Sequence, residues 1–129
     1  MLYSFDTMRK AERVPHEKDY RTWTGRMTVG ELMSVRAELE RRLEGKDATV
    51  SSWLPGNDWR GTPFAVIYEK ATLFNEEQAA MCFGLVLWDL MMGRDEWWGC
   101  MKCEPGATGV SGTRYFRIDP PVGMPGSGI

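Results

Sequence analysis

The chain predicts an α+β fold: three helices with a small antiparallel sheet or hairpin. Three observations carry this. A capped amphipathic helix pattern runs from residue 28 to 45, and an almost wholly apolar helical run follows at 76–92. After it, "EWWGCMKC" and "TRYFRI" have the aromatic and β-branched content of strands. A length of 129 residues fits one domain. It divides into an N-terminal arm (1–27), a globular core (28–118) and an irregular tail (119–129). Hydrophobic residues make up 43% and six tryptophans are present, which excludes global disorder.

In residues 1–27 no periodicity is visible. Between positions 9 and 26, six basic side chains face three acidic ones, a net of +3. Pro15 interrupts any single helix there, so the segment reads as a solvated basic arm over the domain. Its alternative use is contact with nucleic acid.

The first helix opens at Thr28, the expected N-cap, with Glu31 at capping-box spacing. Leu32, Val35, Leu39 and Leu43 share one face. Arg36–Glu40 and Glu38–Arg42 stand four apart on the other. Gly45 is the natural stop. Residues 48–54, "ATVSSWL", read as a strand, and "PGNDWRG" as a turn. Thr62-Pro63 then opens a helix whose buried face is Phe64, Ile67, Tyr68 and Ala71. "TLFN" is a tight break, and Asn75 caps again with Gln78 three positions on. From Ala79 to Met92 the only charge is Asp89. Gln78, Cys82 and Asp89 fall on one narrow stripe of that helix. So apolar a helix belongs in the centre of the domain. Ala80 and Gly84 form a smooth strip suited to close approach of another backbone. Asp89, alone in apolar surroundings, is expected to be tied to an Arg or a backbone group.

The order helix, strand, helix, turn, helix, two strands resembles the winged helix-turn-helix arrangement over residues 28–118. The resemblance lies in element order. It implies that helix 76–92 would enter a DNA major groove and that the final hairpin would touch the backbone or minor groove. The residues speak against that use. The helix begins with Glu76-Glu77, where phosphates would lie, and the loop after Cys103 has no Lys or Arg until Arg114.

Catalysis finds little support. The sole histidine, His16, lies in the arm, no phosphate loop or dinucleotide fingerprint is present, and no cofactor is implied. Cys100 and Cys103 are two potential metal ligands where about four are needed. On a strand they point to opposite faces. No metal site is therefore expected. Alternation puts Trp97, Met101 and Cys103 on one face and Trp98, Cys100 and Lys102 on the other. One tryptophan should close the core while the other meets solvent, a ligand or a partner.

The remaining candidate binding residues are Asn57, Asp58, Trp59 and Arg60, between two glycines, together with Trp97 and Trp98. Trp and Arg are frequent binding anchors. The plainer reading has Trp59 folded on the core and Asp58 paired with Arg60. The longest apolar run, ten residues, is too short to span a bilayer. No secretory leader is evident, and three cysteines fit reduced thiols in a cytoplasm. The expected function is non-enzymatic: protein–protein contact, as a homodimer or with a partner protein. Met91, Met92, Trp97 and Trp98 are the expected interface, because so large an apolar load exceeds what one small domain covers. A winged-helix DNA regulator is the alternative, and a small-molecule-binding domain or small enzyme the third.

Overall fold

The computed structural model describes residues 1–52, 54–56, 58–103 and 112–124. The α+β class is as expected, with a larger sheet and one more helix than the sequence suggested. The elements are β1 (Leu2–Ser4), β2 (Arg9–Lys10), α1 (Glu17–Thr24), α2 (Val29–Leu43) and β3 (Ala48–Val50). A π-helical turn (Ile67–Ala71), α3 (Glu76–Met92), β4 (Trp98–Lys102) and β5 (Thr113–Arg117) complete them.

The five strands run in the order β2-β1-β4-β5-β3. All pairings are antiparallel except β1 beside β4, which is parallel. The segment read as a draped arm is thus part of the sheet, and Leu2 is completely buried. The reason lies in pairing. Backbone N–H and C=O groups along β4 need partners on both sides, and β1 supplies one side, with Trp98 N–H donating to the Met1 carbonyl at 2.9 Å. One turn at residues 5–8 joins β1 to β2, and strands of three and two residues are too brief to show as periodicity. Helix α1 was likewise unexpected. It begins just after Pro15, and only Trp23 on it is buried.

The helices between 28 and 92 follow their caps. Thr28 and Glu31 form a reciprocal capping box, with bonds of 2.8 and 3.1 Å. Asn75 Oδ1 accepts the Gln78 N–H at 2.9 Å. Gly45 ends α2 with φ of +74°, a left-handed conformation that favours glycine. Of the two expected surface pairs on α2, Glu38–Arg42 forms at 2.8 Å. Arg36 instead pairs with Asp89 on α3, and Glu40 with Arg94. Helical neighbours four apart compete with tertiary partners, and here the tertiary carboxylate and guanidinium win.

The strand expected at 48–54 stops at Val50. The helix expected after Pro63 is short. Its last turn is a π turn, with Thr72 N–H bonded to the Ile67 carbonyl at 3.0 Å. Phe64, Ile67 and Ala71 are buried as expected, and Tyr68 only partly.

Helix α3 is the central element, with eight buried residues. Its Cys82 is wholly buried, and Asp89 is bonded by Tyr20 Oη at 2.8 Å and by the Arg36 guanidinium. One carboxylate thus joins α1, α2 and α3. Cys82 and Asp89 of the polar stripe thus face the domain, while Gln78 at its start is exposed. Residues 11–14 cross the helix near its end, beside Asp89 and Met92, where the Trp88 indole donates to the Arg13 carbonyl at 3.0 Å. The Ala80–Gly84 strip does not receive another backbone. Ala80 is exposed, and a Cβ at Gly84 meets nothing within 4 Å. Gly84→Ala should therefore stabilise the fold, by up to about 1 kcal/mol. A urea melt showing lower stability would mean that the strip is covered.

From residue 28 to 118 the elements run α2, β3, the π-helical turn, α3, β4 and β5, which does not by itself establish the winged-helix arrangement that the sequence resembles. The five-stranded sheet, with a parallel N-terminal strand beside β4, is not the small hairpin sheet which that resemblance implies.

Candidate functional site

The residues nominated from the sequence separate into two groups. Trp97 and Trp98 are 3% and 1% exposed, and Met91 is fully buried. Met92 is partly buried against the core. None of these presents an open apolar surface, so the expected interface is corrected. Trp98, Gly99 and Cys100 are all buried, so this part of β4 is covered on both faces, while Met101 and Lys102 at its end are exposed. Trp98 opposes Leu2 and Arg117 in the sheet, and the guanidinium groups of Arg94 and Arg117 stand 5.9 and 5.8 Å from its ring. Lys10 Nζ lies 5.9 Å from the Trp97 ring. The N-terminal strands, read as an arm, help cover these tryptophans.

Cys100 is buried and Cys103 half-buried, both as free thiols. Burial pushes the Cys82 and Cys100 thiols up to about 12, which makes them poor nucleophiles. Among the described residues no three His, Cys, Asp or Glu side chains cluster in a way that could hold a metal ion.

The loop at 56–61 lies beside a cavity. Asn57 falls outside the described residues. Asp58 and Arg60 form an exposed two-pronged pair, with bonds of 2.8 to 3.2 Å. The arginine beside it holds the Asp58 carboxyl down at about 2. Trp59 is half-buried and stacks inward, its ring 5.7 Å from Phe83 and 6.3 Å from Phe64. The plain reading of this loop therefore describes its internal contacts. Together with Ala65, Tyr68, Glu69, Glu76 and Ala79, however, these three residues line a cavity of about 440 Å³. Its walls come from the loop, the π turn and the first turn of α3.

Sequence reasoning missed the feature next to this cavity. Leu73 and Phe74 have φ of +52° and +65°. Non-glycine residues avoid this left-handed region, at a cost of roughly 1–2 kcal/mol each. Both are outward, 63% and 65% exposed. The Phe74 ring meets the cavity-lining Tyr68 edge-on at 5.3 Å. The backbone is held by Phe74 N–H donating to the Tyr68 carbonyl at 2.7 Å and by the Thr72 hydroxyl donating to the Ile67 carbonyl at 3.0 Å. On the solvent side of α3 follow Ala80 and Met81, the latter 43% exposed. The signal was present in "TLFN": a tight break between helices that holds two large apolar residues where Gly, Asn or Asp is usual.

The helix that would read DNA shows solvent Glu76, Glu77, Gln78, Ala80 and Met81. No Lys or Arg occurs from Ala71 to Gly93. No helix among the described residues is long and apolar enough to cross a membrane. Compared with protein-family models, curated proteins and solved structures, the chain has no significant match in any of the three.

Proposed function

We propose that this chain is a small non-enzymatic interaction module acting by protein–protein contact, through the surface formed by the Leu73–Phe74 break and the start of α3. The carrying observation is the pair of exposed, left-handed apolar residues. Backbone strain persists where the surrounding structure imposes it, and it concentrates at functional sites. Here it holds two apolar side chains in water, which burial in a contact would reverse by about 1.5–3 kcal/mol per side chain. Other exposed large apolar residues, such as Met8, Val29 and Val122, lie in separate parts of the chain, and scattered ones are ordinary for a surface.

A different protein fits this surface better than a second copy. A two-fold contact centred here would bring Glu69, Glu76 and Glu77 of one copy toward the same residues of the other. Like charges across an interface cost free energy.

The test separates function from folding. Leu73→Asn places in the left-handed position a residue that tolerates it. It should raise stability by up to about 1 kcal/mol in a urea melt while weakening capture of the partner from extracts of the cells that make the protein. Equal capture by both forms, or capture of nothing by either, would overturn the reading.

A further inference from the structure

We infer that the partner presents a basic side chain, Lys or Arg, on an apolar segment: the cation enters the cavity between Trp59 and Tyr68 while the apolar neighbours cover Leu73 and Phe74. The inference rests on the protein-contact reading and adds the chemistry of the occupant.

Charge complementarity carries it. Asp58 is answered by Arg60 and Glu31 by Lys70. Glu69 and Glu76, both exposed and both on the cavity wall, are in no ion pair among the described residues, nor is Glu77 beside them. The cavity wall thus holds two unanswered carboxylates beside two aromatic rings. A cation near the face of Trp or Tyr is attracted by the ring quadrupole, and nearby carboxylates add to this. The start of a helix by itself favours anions. Here Asn75 already accepts the Gln78 N–H, and Glu76 and Glu77 exceed the half positive charge of the helix end. The net field at the mouth of the cavity is negative. A volume of about 440 Å³ accommodates the stem and head of Arg or Lys. Its walls continue through the Tyr68–Phe74 ring contact to the apolar surface that such a segment's neighbouring residues would cover.

The experiment titrates the full chain, by calorimetry, with three ten-residue peptides of equal length: Leu/Arg, Leu/Gln and Leu/Glu. The Leu/Arg peptide should bind at least tenfold more tightly than Leu/Gln, and Leu/Glu not measurably. The preference should shrink between 50 mM and 500 mM salt. In the double variant Glu69→Gln/Glu76→Gln, both exposed positions, Leu/Arg affinity should fall at least tenfold with an unchanged urea melt. Leu73→Asn should weaken Leu/Arg and Leu/Gln alike. Equal binding of Leu/Arg and Leu/Gln, unaffected by the double variant, would overturn the basic occupant and leave the contact surface standing. Binding of none of the three up to millimolar concentration overturns the basic occupant as well, and partner capture that is unchanged by Leu73→Asn then removes the contact reading separately. Salt-sensitive self-association abolished by the double variant would assign the surface to a second copy and overturn the inference.

Discussion

Above pH 9 the protein should lose stability steeply and unfold before about pH 12. Burial pushes the Cys82 and Cys100 thiols up to about 12 from an ordinary value of 9.0. Burial also raises the Tyr115 hydroxyl, and burial together with its bond to Asp89 raises that of Tyr20. In each case the folded state keeps a proton that the unfolded chain releases. The contribution is therefore fully present below the unfolded value and is lost as pH rises toward the folded one. The thiols act from about pH 9 and the phenols from about pH 10. Each fully buried group lowers stability by about 1.4 kcal/mol per pH unit across its window. Cys82, Cys100 and Tyr115 are 0%, 1% and 1% exposed, so they count in full, whereas partly exposed Tyr20 adds less. Against a typical total of about 5–15 kcal/mol, three such groups are decisive within two to three pH units. Denaturant melts at pH 8, 9, 10 and 11 check this. A flat profile between pH 8.5 and 10.5 would show that the thiols reach water in the folded state. Cys82→Ala should remove part of the slope.

Trp98→Ala should destabilise the fold by about 3–5 kcal/mol, the range for deleting a large aromatic from a core. Trp98 is 1% exposed on β4, the central strand of the sheet. Its ring lies within 6 Å of the guanidinium groups of both Arg94 and Arg117, and its indole N–H donates to Glu96 at 3.3 Å. Truncation leaves a cavity, removes two cation–π contacts worth about 0.5–2 kcal/mol each, and takes one hydrogen bond from the Glu96 carboxylate, which Arg94 still holds at 2.6 Å. A loss below about 1 kcal/mol in a urea melt would restore the surface role that alternation suggested for one tryptophan of this pair.

The sequence was most informative where local chemistry is self-contained. The Thr28–Glu31 capping box, the Asn75 cap, the extent of α3 and the alternation of Trp98 and Cys100 against Met101 all appear as read. Each depends on residues at most a few positions apart, so a short window contains the whole cause. The expectation that Asp89 is tied to an arginine or a backbone group also belongs here. Its isolation in an apolar helix demands a partner, although only the fold selects Arg36 and Tyr20.

The candidate site was legible only in part. Asp58, Trp59 and Arg60 do border a cavity, but the residues nominated for contact, Met91, Trp97 and Trp98, are interior. That error has one source. Residues 2–4 pair with residues 98–100, almost a hundred positions away, and a three-residue strand has no periodicity by which to announce itself. Once β1 and β2 are in the sheet, the apolar load that seemed to need a partner has cover within the chain. The same segment crosses the end of α3 at Trp88 and leaves the start of that helix bare. Composition and local pattern determined the class, the caps and the central helix, because those are set by neighbouring residues. Which apolar side chains stay in water was decided by long-range strand pairing and by the left-handed backbone at Leu73 and Phe74, which only the assembled tertiary structure imposes.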